Sequence, residues 1–186
     1  MRHASVTRSK SMTVNGSDPR WRTINGDSYH FVNERLDIKD FPISNPVKRE
    51  VEYEEITFDR SVTTQEILDT IRSQDLWHPE RDEAETYFDA LSNSKRQLDE
   101  SPIVALCGTF IGGNHRYDRG VSCIIANKDG RSLSLFYTGK AWVQKCRFLV
   151  VHKRTGVNND IYDSPEDVIL QCYMLPAIKA TLDLIR

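Results

Sequence analysis

The spacing of the hydrophobic residues changes near Pro102, and this change limits the folds that the chain can adopt. Before Pro102, apolar residues recur every three or four positions in two segments, as they do on one face of an α-helix. After it, they alternate with polar residues or form short runs, as they do in β-strands. The order predicts an α+β domain in which the helices lie on one face of an antiparallel sheet.

Two helices are predicted before Pro102. Thr63 precedes Glu66 by three residues, which is the spacing of a capping box, and Val62 and Ile67 are placed as a hydrophobic staple. Pro79 opens the second helix, because proline is favoured in a first turn and the acids after it suit the positive end of the helix dipole. The predicted apolar faces consist of Ile67, Leu68 and Ile71 in the first helix and Ala84, Tyr87, Phe88 and Leu91 in the second.

Five segments have the composition of β-strands. The first, residues 51–58, loses its alternation at Glu54 and Glu55, which indicates a bulged or edge strand. Asp129-Gly130 is a hairpin signal between two of the others. Because the connections are short, we expect an antiparallel meander of about four strands, which span residues 103–111, 121–126, 133–137 and 142–151.

A third helix is predicted towards the end of the chain. Ser164-Pro165-Glu166-Asp167 has the features of a helix start. Pro176 removes a backbone hydrogen bond and should bend the helix, but the apolar stripe keeps its phase, so we predict one kinked helix packed on the sheet. The stripe consists of Val168, Cys172, Leu175, Ile178, Leu182 and Ile185.

Residues 1–28 are predicted to be a flexible basic arm, and residues 29–186 a single globular domain. The arm is rich in small polar residues, and only Trp21 could anchor it to a core. Its five basic residues are Arg2, Arg8, Lys10, Arg20 and Arg22. Such an arm can reach RNA, DNA or anionic lipid, although an ordinary solvated terminus has a similar composition.

The formal net charge of −2 gives the whole molecule no strong attraction for nucleic acid, so any such attraction must be local. A second basic group lies on or after the last predicted strand and consists of Lys145, Arg147, Lys153 and Arg154. Together with the arm it would form a phosphate-contacting patch. The alternative is an edge strand whose basic residues keep it solvated.

The cysteines and the absence of targeting signals indicate a location. Cys107, Cys123, Cys146 and Cys172 are far apart in apolar runs, so we expect buried free thiols. This usage is typical of a reducing compartment, and we expect an intracellular protein, cytoplasmic or nuclear. No segment has the roughly 20 apolar residues that cross a bilayer, and the first residues lack the apolar region of a signal peptide.

The segment 112–120 is the candidate for a catalytic site. It joins two strands and contains His115, Arg116, Asp118 and Arg119. In a nucleic-acid-processing enzyme, His115 would be a general base oriented by Asp118, and the arginines would hold an anionic substrate. The alternative is a polar hairpin loop. Because no metal, phosphate-loop or nucleophile motif is present, the sequence predicts no metal, no cofactor and no small-molecule ligand.

The order of elements from Tyr53 to Leu98 resembles the matrix proteins of rhabdoviruses. Those proteins have a basic arm, a strand, a helix, a turn with tryptophan, a second helix and antiparallel strands. The corresponding pieces here are Tyr53–Phe58, Thr64–Ser73, Trp77-His78 and Tyr87–Leu91. The chain is less basic than family members tend to be, and the proline-rich budding motif of many members is not found in it. The resemblance implies self-association and contact with a nucleocapsid and a membrane inner surface, without catalysis.

We therefore predict a non-enzymatic assembly or adaptor protein of viral matrix type, whose basic residues contact RNA or an anionic membrane. The competing hypothesis is the nucleic-acid-processing enzyme that uses the 112–120 segment.

Overall fold

A mixed β-sheet of ten strands dominates the part of the chain that the structure describes. This computed structural model describes residues 4–6, 10–24, 26–43, 46–93, 101–108, 110–111, 120–137, 140–142 and 145–152. The predicted C-terminal helix, with its Pro176 kink and Cys172, lies outside these ranges.

Twelve strands and two α-helices are found in the described residues, and three short 3₁₀ turns lie between β2 and β4. The strands are β1 (Ala4–Val6), β2 (Lys10–Asn15), β3 (Phe31–Val32), β4 (Lys48–Phe58), β5 (Val62–Thr63), β6 (Leu76–Trp77), β7 (Ile103–Ala105), β8 (Phe110–Ile111), β9 (Gly120–Asn127), β10 (Gly130–Tyr137), β11 (Ala141–Trp142) and β12 (Arg147–His152). The helices are α1 (Thr64–Ser73) and α2 (Arg81–Asn93). Strands β5 and β11 form a separate small sheet.

The prediction of a small antiparallel meander packed with helices is wrong, because the strand order does not follow the chain. Along its main path the sheet has the order β1-β4-β12-β7-β9-β10-β3. The predicted hairpin at Asp129-Gly130 is confirmed, since β9 and β10 pair antiparallel and Gly130 has a φ of 128°. However, β12 does not lie beside β10. It pairs antiparallel with β4 and parallel with β7, which makes the sheet mixed.

Both faces of the sheet are covered, each by one helix, so the expectation that the helices share one face is also wrong. Alternate residues of a strand point to opposite faces. In β12, Leu149 and Val151 belong to the core that contains α2, whereas Phe148 and Val150 belong to the core that contains α1. The two faces are called the α2 face and the α1 face below.

Strand β12 is central because it is apolar on both sides. Its residues Phe148, Leu149, Val150 and Val151 are each at most 1% exposed. A strand that buries every side chain in such a run needs a neighbouring strand on each side, and other elements must pack on both faces of the sheet. The alternative of a solvated edge strand is therefore excluded for β12.

Apolar and polar residues stop alternating in β4 because a carboxylate occupies one of its inward positions. The register between β4 and β12 runs without interruption from Tyr53 opposite Val151 to Thr57 opposite Arg147, so β4 has no bulge there. The positions that face α2 remain in phase at Val51, Tyr53 and Glu55, and the last of these is a buried carboxylate. The prediction of a bulged or edge strand is wrong because a polar residue occupies an inward position.

The predicted strand 142–151 is divided into β11 and β12. Lys145 lies between them with a φ of 81°, in the left-handed region that ends an extended strand. Trp142, Cys146, Phe148 and Val150 nevertheless all lie in the α1-face core.

The N-terminal residues that the structure describes belong to the sheet. Strand β1 pairs with residues 56–58 of β4, and β2 pairs with residues 48–53 on the same side. Trp21 is buried in a 3₁₀ turn, and its indole N–H donates to the carbonyl oxygen of Asn15 at 2.8 Å. Within the segment assigned to a flexible arm, β1 and β2 thus contribute backbone pairing, and Trp21 contributes a core contact.

Several local predictions are confirmed. The capping box at α1 is present, with Glu66 N–H donating to Thr63 Oγ1 at 3.2 Å and Thr63 N–H donating to Glu66 Oε2 at 2.9 Å. The predicted apolar face of α2 is buried at Ala84, Tyr87, Phe88 and Leu91. The thiols of Cys107, Cys123 and Cys146 are free and buried.

We predict that Phe148→Ala lowers the free energy of unfolding by about 3–5 kcal/mol, because it opens a cavity beside a central strand. The matched control is Phe31→Ala, since Phe31 is 51% exposed at the far edge of the sheet. Urea unfolding followed by circular dichroism measures both. Equal losses of about 1 kcal/mol or less in the two variants would contradict the central position of β12.

Candidate functional site

The predicted catalytic segment lies outside the described residues, apart from Gly120. The described residues on either side of the undescribed stretch, Ile111 and Gly120, pair with each other. Gly120 also pairs with Tyr137, the last residue of β10. The roles proposed for His115, Arg116, Asp118 and Arg119 therefore remain predictions, and their segment is attached to the sheet beside Tyr137.

The basic residues predicted to contact nucleic acid or lipid have different surroundings. Arg20 lies in an ion-pair network, with Nε 3.0 Å from Asp18 Oδ2 and Nη1 3.3 Å from Asp89 Oδ2. Arg20 is nevertheless exposed, as are Lys10, Arg22 and Lys145. Outside the described residues lie Arg2, Arg8, Lys153 and Arg154.

Arg147 is part of an internal polar group on the α2 face. Its Nη1 donates to Glu55 Oε2 at 3.2 Å, and its Nη2 donates to the carbonyl oxygen of Ser101 at 3.0 Å. Tyr87 Oη donates to Glu55 Oε1 at 2.6 Å. The group joins β4, β12 and α2, so the guanidinium of Arg147 stabilises the interior of the fold.

A cavity of about 230 Å³ lies between α2, β10 and the turns after β2. Its walls present polar and apolar surface in similar amounts and consist of Arg20, Trp21, Thr23, Ser28, Tyr29, Arg81, Glu85, Asp89 and Arg131. This volume is below the range of pockets for drug-sized ligands. The polar groups in its walls are chiefly bonded to one another.

Glu85 is the centre of that cavity network. It accepts a short hydrogen bond from Tyr29 Oη, and Arg131 Nη1 donates to its other oxygen at 2.8 Å. Burial, and then the neighbouring carboxylate, raises the pKa of Tyr29, so the phenol stays protonated and continues to donate. Arg81 donates to the carbonyl oxygens of Trp21 and Thr23, which ties the N-terminal segment to α2.

The charges of the network balance. Three guanidiniums, those of Arg20, Arg81 and Arg131, lie within 4.0 Å of the three carboxylates of Asp18, Glu85 and Asp89. A balanced network leaves no surplus charge to attract an ionic ligand. Its chemistry supports a structural role, which is to hold residues 18–29 on α2 and β10.

A second buried ionic cluster lies at the start of α2. Arg49 Nη2 lies 3.5 Å from Glu80 Oε2, 2.8 Å from Asp82 Oδ2 and 3.0 Å from Glu83 Oε1. The contact to Asp82 Oδ2 lacks hydrogen-bond geometry, and Arg49 instead donates to Asp82 Oδ1 at 3.0 Å. Burial is the main cause that raises the pKa of Asp82 to about 6, and the neighbouring acids add to it.

These two clusters contain the buried polar residues that were not predicted from the sequence. The acids after Pro79 were assigned to the helix dipole alone, although four acids within Glu80–Glu85 exceed what one helix end requires. Arg49 stands two residues before the apolar run of β4 and in phase with its inward positions. That phase was the available signal for a buried arginine.

The outer side of β1 and β2 forms one edge of the sheet, which we call the N-terminal edge (residues 4–6 and 10–15). Both strands pair with β4 alone among the described strands. Side chains exposed along this edge are those of Ser5, Val6, Lys10, Ser11, Thr13 and Asn15. The opposite edge ends in β3, which is two residues long.

The structure gives no sign of a metal centre or a membrane span in the residues it describes. No group of three or more His, Cys, Asp or Glu side chains is placed there to hold a metal ion. Neither described helix has the length and hydropathy that crossing a bilayer requires.

No protein-family model, curated protein sequence or solved structure matches this chain.

We predict a distinct pH dependence for Asp82. Its pKa is about 6 in the fold, against about 3.9 in an unfolded chain. As the pH falls from 7 to 4, the folded state takes up a proton at Asp82 that the unfolded state does not, so this residue favours folding increasingly. The stability of the wild type relative to Asp82→Asn should therefore rise by about 2–3 kcal/mol over that range.

Chemical denaturation at several pH values measures this difference. The control is Asp69→Asn, because the Asp69 side chain is 46% exposed on α1, and its stability curve should run parallel to that of the wild type. A curve for Asp82→Asn that is also parallel to the wild type would show that the carboxyl has an ordinary pKa.

Proposed function

We propose that this protein is a non-enzymatic assembly protein that self-associates through its N-terminal edge. The observation that carries the proposal is the composition of that edge. From Ser11 to Asn15 the edge strand contains no charged residue and no proline, and Ala4–Val6 continues the same edge without charge. Natural proteins usually protect such edges with charge, proline or short strands, because unpaired backbone groups there can pair with another chain.

The two edges of the sheet differ in this respect. The far edge consists of two short pieces, β3 and residues 134–137 of β10, whereas β2 has six residues and β1 adds three along the same side of β4. Val6 in β1 is 42% exposed, which adds apolar area to the edge. An interface that uses one edge twice, with a two-fold axis, is the simplest arrangement that closes.

A symmetric pairing of two β2 strands would place compatible side chains opposite each other. If Thr13 lies opposite Thr13 of a second copy in an antiparallel ladder, Met12 lies opposite Val14 and Ser11 opposite Asn15. Each Lys10 then falls beyond the last of these pairs, so the two ammonium groups are not opposed. Cross-strand pairs of this kind, without like charges, favour association.

The exposed basic residues suit a polyanionic partner. Lys10, Arg22 and Lys145 are exposed, and solvated cations of this kind bind phosphates through release of counterions. The resemblance to rhabdovirus matrix proteins supports the same class of function, an assembly protein that contacts a nucleocapsid. We therefore propose nucleocapsid RNA as the second partner.

The test of self-association is the molar mass in solution at increasing concentration. We predict a dimer for the wild type and a monomer for the double variant Val6→Lys/Thr13→Lys, because Thr13→Lys places two ammonium groups opposite each other and Val6→Lys adds charge to the same edge. The fold should persist, since both side chains are exposed. Light scattering after size exclusion gives the mass, and circular dichroism reports the fold.

The matched control is Phe31→Lys/Gln65→Lys, which adds the same charge at two exposed side chains away from the N-terminal edge, one on β3 and one on α1. It should remain dimeric. A wild type that is monomeric at every concentration, or a control that dissociates as readily as the edge variant, would refute self-association through this edge.

A further inference from the structure

Three polar side chains meet at the end of β10. Arg35 Nη1 donates to Tyr137 Oη at 3.0 Å. Lys140 Nζ lies 5.7 Å from the centroid of the Tyr137 ring, and the backbone N–H of Lys140 donates to the Tyr137 carbonyl oxygen at 3.0 Å. Both cations are exposed, and the tyrosine is half-buried, so the phenol is held in place between two solvated positive charges.

Some donors of these three side chains have no hydrogen-bond acceptor among the described residues. Tyr137 Oη accepts from Arg35, and its own O–H has no acceptor among the described residues. Arg35 and Lys140 likewise pair with no carboxylate in that part of the chain. A guanidinium, a phenol and an ammonium group thus lie close together, and no acid among the described residues neutralises them.

Two exposed cations in turns, Arg60 and Lys39, differ in this respect. Arg60 Nη2 lies 2.7 Å from Glu66 Oε1, and Lys39 Nζ lies 3.7 Å from Asp37 Oδ2. Their charges are compensated locally. The pair Arg35 and Lys140 is oriented by an aromatic side chain, which leaves both charges available to an anion.

We propose that Arg35, Tyr137 and Lys140 form a phosphate-binding site for single-stranded nucleic acid, and we call it the Tyr137 site. Two cations with a phenolic donor match a backbone phosphate, which offers acceptors and carries a negative charge. Both cations of the site are exposed, which suits contact with an extended polymer. The proposal names a binding site for the polyanionic partner proposed above, but it does not depend on the N-terminal edge.

The aromatic ring favours a single strand over other carriers of phosphate. Proteins that bind single strands combine backbone-contacting cations with aromatic side chains against which a base packs. In a duplex the base faces are stacked on one another and do not reach such a ring. A lipid headgroup would use the two cations but would gain nothing from the ring.

The experiment measures the anisotropy of a labelled single-stranded RNA of mixed sequence with the full-length protein at several salt concentrations. We expect Arg35→Gln/Lys140→Gln to bind at least tenfold more weakly at low salt. The slope of log affinity against log salt should become shallower by about 0.7 for each phosphate that the variant no longer neutralises. Tyr137→Phe keeps the ring and removes the donor, and it should bind about threefold to tenfold more weakly.

The charge-matched control is Lys39→Gln/Arg60→Gln, which removes two exposed cations that are paired with acids. It should bind RNA nearly as well as the wild type. Equal weakening in this control, or unchanged binding by Arg35→Gln/Lys140→Gln, would overturn the site. Binding to phosphatidylserine vesicles in place of RNA would overturn the nucleic-acid assignment.

The outcome is separable from self-association. Val6→Lys/Thr13→Lys leaves Arg35, Tyr137 and Lys140 unchanged, so RNA binding per protomer should persist at protein concentrations where that variant is monomeric. Absence of RNA binding in a protein that still forms the dimer would refute the Tyr137 site alone.

Discussion

The burial of β12 on both faces is the constraint on which the rest of the fold depends. Phe148 and Val150 fill one core and Leu149 and Val151 the other, so each face needs its own cover and each side of the strand its own neighbour. α1 and α2 supply the covers, and β4 and β7 are the neighbours. Burying four such side chains contributes roughly 1.5–3 kcal/mol each, which makes this strand the main apolar element of the sheet.

The helix that packs on the α2 face begins with buried charged residues. The ion pairs that these residues need determine which other charged residues stay exposed and can contact a partner. Acids at the start of α2 are buried and must be paired, because an unpaired buried charge is very unfavourable. Arg49 and Arg131 supply these pairs from the sheet, and Arg147 pairs in the same way with the buried Glu55 of β4. These cations stabilise the interior, whereas Lys10 at the N-terminal edge and Arg35 and Lys140 around Tyr137 are exposed. The distinction between the two groups is one of position in the sheet and not of residue type.

Local features of the fold could be predicted from the sequence, and long-range ones could not. The Thr63 capping box and the Asp129-Gly130 hairpin depend on neighbouring residues, so their spacing was sufficient. The position of β12 depends on residues about 45 and 95 positions away in β7 and β4, and only its continuous apolar run indicated burial on both faces. The inward position of Glu55 was hidden for the same reason, since its partners Tyr87 and Arg147 are distant in sequence.

The candidate surfaces were predictable only in part. Basic residues can be counted in a sequence, but the removal of Arg147 from the surface and the orientation of Arg35 by Tyr137 arise from the sheet. The N-terminal edge was hidden because a polar, small-residue segment is typical of both a solvated arm and an edge strand.

Hydrogen exchange measured at low and high protein concentration tests the assembly account most directly. Amides of β12 should exchange slowest, at the rate of global unfolding, and should not change with concentration. Amides of β2 should exchange faster in dilute protein and become protected as concentration rises, because a second copy pairs with them. Protection of β2 that is independent of concentration, or a concentration effect at β3 and β10 in its place, would contradict assembly through the N-terminal edge.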